Sequence, residues 1–325
     1  MNRNSCFLLA SVAIGLIACD KENDQKNIVS QRYIHKYGYD VPRDEWESQN
    51  YPGQIITTKL GGISVITSYE DGELHGSKTE TYPHSQTIRI EEQYNRGHLK
   101  KRTEYSIRGI KQKEEEFLGP EHFIATTWYP NGTPKSREEF SFDHLIAGQY
   151  FNMSNELDSR IDNGSGEKVT RNQNGDILAK EVYNLGEITY VETYYPNNTP
   201  HTVTSFHKGQ LHGDKKIFSI SGEPLAVEKW QNGKLHGIAT YYQNGCKYKE
   251  VPYVQGFKQG TERQYLDGDL LIEELQWDGN VRHGPSIVYY DGVARTTWFF
   301  EGEKVSRKKF DVLAQRNAYI TAMNQ

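Results

Sequence analysis

The chain has 325 residues, 25% charged, 35% hydrophobic and 12% aromatic, with a formal net charge of −5. With 22 Tyr, 29 Gly and a mean hydropathy of −0.79, it lacks the aliphatic content of a thick core, and its acidic balance argues against a nucleic-acid surface.

The N-terminus reads as an export signal over 1–18. Arg3 is its positive end, and Phe7 to Ile17 is an apolar run too short to span a bilayer. The run ends in Leu16-Ile17-Ala18-Cys19, followed by Asp20. This resembles the bacterial lipobox. The resemblance implies cleavage before Cys19, palmitate-type acylation there, and a lipid anchor in the cell envelope with the leaflet left open. Loss of Arg3 brings the mature balance to −6. Cys6 leaves with the signal and Cys19 carries lipid, so Cys246 stands alone and no internal disulfide is expected. Residues 19–31 read as a flexible tether, because 20–27 contain no apolar residue. Residues 32–66 read as an N-terminal cap, with a hairpin from Ile55 to Leu60, Gly61-Gly62 and Ile63 to Tyr69.

A repeat array is expected over 67–305. Gly-x-x-x-Gly recurs as Gly72/Gly76, Gly209/Gly213, Gly233/Gly237 and Gly256/Gly260, with Asn280/Gly284 as a variant. The second glycines from 213 to 284 are 23–24 residues apart, the signature of stacked small units. Weaker first positions fall at Gly97, Gly119, His144, Gly186 and Gly302, with a degraded unit at Gly164-Ser165-Gly166, giving roughly ten units. Asn244-Gly245, Asp267-Gly268 and Asp291-Gly292 lie between β-branched and aromatic runs and predict tight hairpins. The Gly-x-x-x-Gly stretch is expected to be a second, longer reversal. The fold class is therefore all-β: an elongated antiparallel meander of tandem ~23–24-residue hairpin repeats. Tyrosines packed at strand ends would replace a deep core.

Three matches carry a family resemblance: Tyr69-Glu-Asp-Gly72-Glu-Leu-His-Gly76, Trp230-Gln-Asn-Gly233-Lys-Leu-His-Gly237 and Tyr241-Tyr242-Gln-Asn-Gly245. They resemble the MORN-repeat variant of YwqK-like antitoxin proteins. The likeness is strong over 206–302 and weak over 152–185. It implies a protein-interaction or scaffolding role, with antitoxin-type binding as one form of it.

After the array, Ser306 is placed to cap a helix over 307–323, within a C-terminal segment 306–325. Phe310, Leu313 and Ile320 lie near one stripe, with Val312, Tyr319 and Met323 beside it. Such a helix would cover the last open strand edge.

Candidate chemistry is sparse. His75, His212, His236 and His283 share a repeat position, but equivalent positions about 10 Å apart cannot converge on one ion, so they read as turn histidines bonded to backbone. Glu91, Glu92, Glu228, Glu250 and Glu274 recur before aromatics and read as cross-strand partners of Lys and Arg on the wet face, Lys249 and Lys229 among them. Glu114-Glu115-Glu116 reads as a solvated strand edge. Cys246 has no legible histidine–asparagine company, and no phosphate loop, nucleophile elbow or metalloprotease helix occurs. The reading is a non-enzyme without catalytic residues, metal or cofactor: a lipid-anchored repeat surface for a protein partner. A cell-wall or glycan-binding module is the alternative, because tyrosines stack on sugars, although the paired tryptophans of choline-binding arrays are missing.

Overall fold

The computed structural model describes residues 27–323. The expected antiparallel meander of hairpin repeats is present, with 27 strands and two helices among the described residues. The chain forms two bodies, divided after Gly164. In each, a strand pairs with its neighbours in sequence, so each body is built from local antiparallel contacts.

The N-terminal body opens with strand β1 (Ile28–His35), antiparallel to β2 (Asp40–Val41) and to β3 (Gly53–Lys59), and β3 pairs with β4 (Ile63–Glu70). The cap hairpin lies where the sequence placed it. Two features were not read: the strand beginning at Ile28, inside the expected tether, and helix α1 (Arg43–Gln49). Trp46 from α1 packs with Tyr33 and Val41 against Tyr51, Ile55 and Tyr69. Burial of these rings gives the first repeat a finished end.

The reversals fall in two classes, and both correct the sequence reading. Arg96-Gly97, Asn163-Gly164, Leu185-Gly186, Lys208-Gly209, Asn232-Gly233, Gln255-Gly256 and Glu301-Gly302 are two-residue turns with positive φ at both positions. That is the type I′ geometry that matches strand twist. The first glycine of Gly-x-x-x-Gly thus completes a tight turn. The Leu-His pair after it is not loop: Leu74 pairs with Tyr69, Leu211 with Phe206 and Leu235 with Trp230. The weak positions also shift. The turn near Gly119 is Pro120-Glu121, and the one near His144 is Phe142-Asp143. The degraded unit does hold a turn, at Asn163-Gly164.

At the other end of the hairpins, Asn244-Gly245 and Asp291-Gly292 are tight turns as expected. Asp267-Gly268, also expected to be tight, instead forms the three-residue loop Asp267-Gly268-Asp269 between paired Leu266 and Leu270, and elsewhere too the connection is longer. Ser106 and Ile110, Tyr129 and Thr133, Asn152 and Glu156, Asn172 and Asp176, Tyr195 and Thr199, and Ser219 and Glu223 each close a three-residue loop. The last loop residue has positive φ: Gly109, Gly132, Asn155, Gly175, Asn198 and Gly222. This is a turn completed by a left-handed bulge residue, a position only Gly and Asn fill here.

The second glycine of the motif marks a bulge. Pairing is offset by two residues between Tyr69↔Leu74 and Thr67↔Lys78, and again at Gly213, Gly237, Gly260 and Gly284. At Gly284 a Cβ would lie 2.9 Å from Gln276 Cγ, with φ at +111°. Glycine is required there by both sterics and backbone.

Helix α2 (Arg307–Met323) closes the C-terminal body. The Ser306 hydroxyl accepts the Lys309 N–H, as expected of the cap. Phe310 packs on Trp298, Phe300 and His283. The helix packs on the second half of the last long strand, while Val293 to Thr296 at its start stay exposed. A short strand, Glu303–Val305, pairs with only Trp298 to Phe300 of the preceding strand Val293–Phe300. Ile320, Val312, Tyr319 and Met323 are exposed.

Candidate interaction surface

Each repeat is tied to the one before it at the tight turns. The Gly97 N–H donates to Leu74 C=O, Gly233 to Leu211, Gly256 to Leu235 and Gly302 to Arg282, at 2.8–2.9 Å. The repeat histidines join these stacks. His75 Nδ1 accepts the Arg96 N–H, His236 the Gln255 N–H and His283 the Glu301 N–H, at 3.4–3.5 Å. His212 Nδ1 is buried without a partner, beside the His207 ring.

One aromatic per repeat stands two residues after a position in the middle of its strand. At three of these positions a glutamate takes the ring's polar tip: Tyr94 Oη donates to Glu92, Tyr183 Oη to Glu181 and Trp230 Nε1 to Glu228. Before Trp277 the position holds Leu275. The Trp277 Nε1–H is buried with no acceptor. Cations cover it instead, with Lys258 Nζ 4.4 Å and the Arg282 guanidinium carbon 5.9 Å from the ring centre.

The expected cross-strand pairing with cations holds for Glu92 with Lys78, Glu228 with Lys215 and Glu274 with Arg263, but Glu92 is buried and Glu228 and Glu274 are half-buried rather than wet. Glu262, 2% exposed, sits between Lys249 and Lys258, each 3.0 Å away. Burial pushes its carboxyl up, but the two ammonium groups prevail and hold it below the usual carboxylate range. Glu114 is built alike: buried on an interior strand, it contacts Lys101 at 3.0 Å, Lys111 at 2.7 Å and the Thr103 hydroxyl. Burial again raises and the lysines lower its carboxyl, with a net fall. The solvated edge expected at Glu114-Glu115-Glu116 is thus a paired strand, flanked on both sides. Glu228 meets Lys215, whereas Lys229 meets Asp214.

Facing away from Glu262, Glu250 and Glu274 accept hydroxyls from Tyr265 and Tyr289, and Glu91, on the same face as Glu114, accepts that of Tyr105, each from the following hairpin, at 2.7–3.0 Å. Burial, then the bond to Glu91, raises the Tyr105 hydroxyl to about 12. These carboxylates are occupied one by one, each in its own repeat. They do not converge on a shared point.

Sequence reading missed a third tie. Tyr82, Tyr129 and Tyr195 donate their hydroxyls to the carbonyls of Tyr105, Phe151 and Phe218, 22–23 residues on. Asn131 and Asn197 do the same to Met153 and Ile220. The signal was available: Tyr-Pro opens all three loops, at 82–83, 129–130 and 195–196.

Among the exposed apolar side chains, one set falls on two successive turns of the C-terminal body. Leu266, Leu270, Tyr290 and Val293 are 50–77% exposed around Asp267-Gly268-Asp269 and Asp291-Gly292. Cys246 is an exposed free thiol at the preceding turn. Cys19 lies outside the described residues. No protein-family model matches the chain, and no curated protein matches it.

Proposed function

We propose that the protein is an exported lipoprotein, acylated at Cys19, whose repeat sheet binds another protein through the turn rim of its C-terminal body. The observation that carries this reading is the exposed apolar set Leu266, Leu270, Tyr290 and Val293 on two successive hairpins. Apolar side chains grouped at adjacent turns favour association over solvent. Glu91, Glu250 and Glu274 and the histidines His75, His236 and His283 are engaged in holding the repeats, which supports a binding role over an enzymatic one. The resemblance to the MORN-repeat variant, including its antitoxin-named members, points the same way.

The test is capture from envelope extract by the lipidated protein and by a variant with Leu266→Asp, Leu270→Asp and Tyr290→Asp. Loss of a specific protein from the variant, at unchanged thermal stability, supports the rim. Equal capture by both overturns it. Binding to purified peptidoglycan that needs no protein would favour the glycan-binding alternative.

A further inference from the structure

Helix α2 has two differently used sides. Phe310 and Leu313 lie toward the sheet side, and Asn317 Nδ2 bonds Glu301. On the other side Val312, Arg316, Tyr319 and Met323 recur at steps of four, three and four residues and so share one stripe. Val312, Tyr319 and Met323 are 59–69% exposed, and Ile320 beside them is 43% exposed. Lys308 lies one turn before Val312 on this stripe, and Lys309 flanks it. Lys308, Lys309 and Arg316 are exposed and form no ion pair among the described residues. Asp311 is the single acid of the helix. Docking on the sheet accounts for the first side and leaves this apolar and basic one uncovered.

We propose that this side of α2 lies on an anionic lipid bilayer. Apolar side chains would enter the headgroup boundary while Lys308, Lys309 and Arg316 meet lipid phosphates, the arrangement that holds interfacial helices to membranes. Tyrosine suits this depth, with its ring in the apolar zone and its hydroxyl wet. Charge selects the occupant: an uncharged apolar protein groove would leave three cations without counter-charge. The inference rests on the lipid-anchored reading, which brings the helix to a bilayer, and it adds a second contact remote in sequence from Cys19.

The test uses the full lipidated protein with Cys246→Ser and Met323→Cys, labelled with a polarity-sensitive dye and reconstituted in vesicles. Expected in phosphatidylglycerol-containing vesicles are a blue shift and a several-fold loss of iodide quenching. Both should be absent in phosphatidylcholine and reversed by high salt. A dye at Leu178→Cys, on a strand, should stay aqueous. Lys308→Glu, Lys309→Glu and Arg316→Glu together should abolish the shift with helix content kept, since acids near a helix N-terminus are tolerated. A dye exposed in both vesicle types, or equally buried in both, overturns the proposal. So does shielding without vesicles at twice the monomer mass, which would mean a second copy covers the helix. Failure of the anchor shows separately, as protein that does not stay with vesicles of either kind.

Discussion

The repeats at Gly213, Gly237, Gly260 and Gly284 differ from those at Gly97, Asp143 and Gly186 by one residue of pairing. In the first set the offset after the tight turn is two residues, and a left-handed glycine takes it up. In the second it is one residue, taken up by Lys100, Ile146 and Thr189, none of which has positive φ. Both sets return the next strand to the same alternation, as a sheet with two differently used faces requires. The loss of a glycine in the second set is therefore a change of bulge, not decay of the repeat.

Charge burial should be indifferent to that change, because Glu262 stands just after a two-residue offset, whereas Glu114 pairs with Thr103 on the strand that carries the one-residue offset at Lys100. Glu262→Gln and Glu114→Gln should each cost about 2–3 kcal/mol at pH 7, measured by denaturant unfolding, since two lysines lose a buried counter-charge. Both carboxyls are held below their ordinary value in the folded state. Their stabilisation is then full above the unfolded carboxylate pKa of about 4.3 and is lost as pH falls through the lower folded value. The gap between wild type and either variant should shrink as pH drops below about 4. A gap that widens there would show the carboxyls are not ionic partners.

Glycine substitution should split the two sets. Gly284→Val should cost about 1–3 kcal/mol from backbone strain, with the Gln276 contact adding to it. Lys100→Val, at the other bulge, should stay within about 0.5 kcal/mol. Equal costs would mean that the two bulges share one backbone.

Within the two-residue set, Trp230 has its glutamate and Trp277 does not. Glu228→Leu copies the Trp277 arrangement and should cost about 1 kcal/mol by thermal unfolding, the worth of one hydrogen bond. The smallest effect is a gain. Leu185, 82% exposed at φ +51°, occupies a turn position that suits Asn. Leu185→Asn should stabilise by about 0.5–1 kcal/mol and bring a worn turn closer to the regular ones.

The period, the hairpins, the cap and α2 with Ser306 could be read because each follows from a local rule: glycine or asparagine at positive φ, apolar alternation, a capping hydroxyl. The function of the second glycine could not, since Gly-x-x-x-Gly fits a loop as well as a turn followed by a bulge. The place of Glu114 also escaped. Three consecutive acids look solvated until Lys101 and Lys111, on either side in the chain, are seen to meet one of them. The rim at Leu266 and Tyr290 is legible as residues but not as a surface, because exposure follows from which strand ends share a turn row.

Each repeat is stabilised mainly by its neighbours. Peptide-resolved hydrogen exchange on Gly237→Val and Gly302→Val tests this most directly. Gly237 is interior, has φ +108° and lies against Lys229, whereas Gly302 closes the last turn. The expected result is graded loss of protection around 213–260 in the first variant. The second should lose protection only near 293–305 and keep it over 209–284. Uniform loss across the C-terminal body in both would contradict serial stacking and require a single cooperative core.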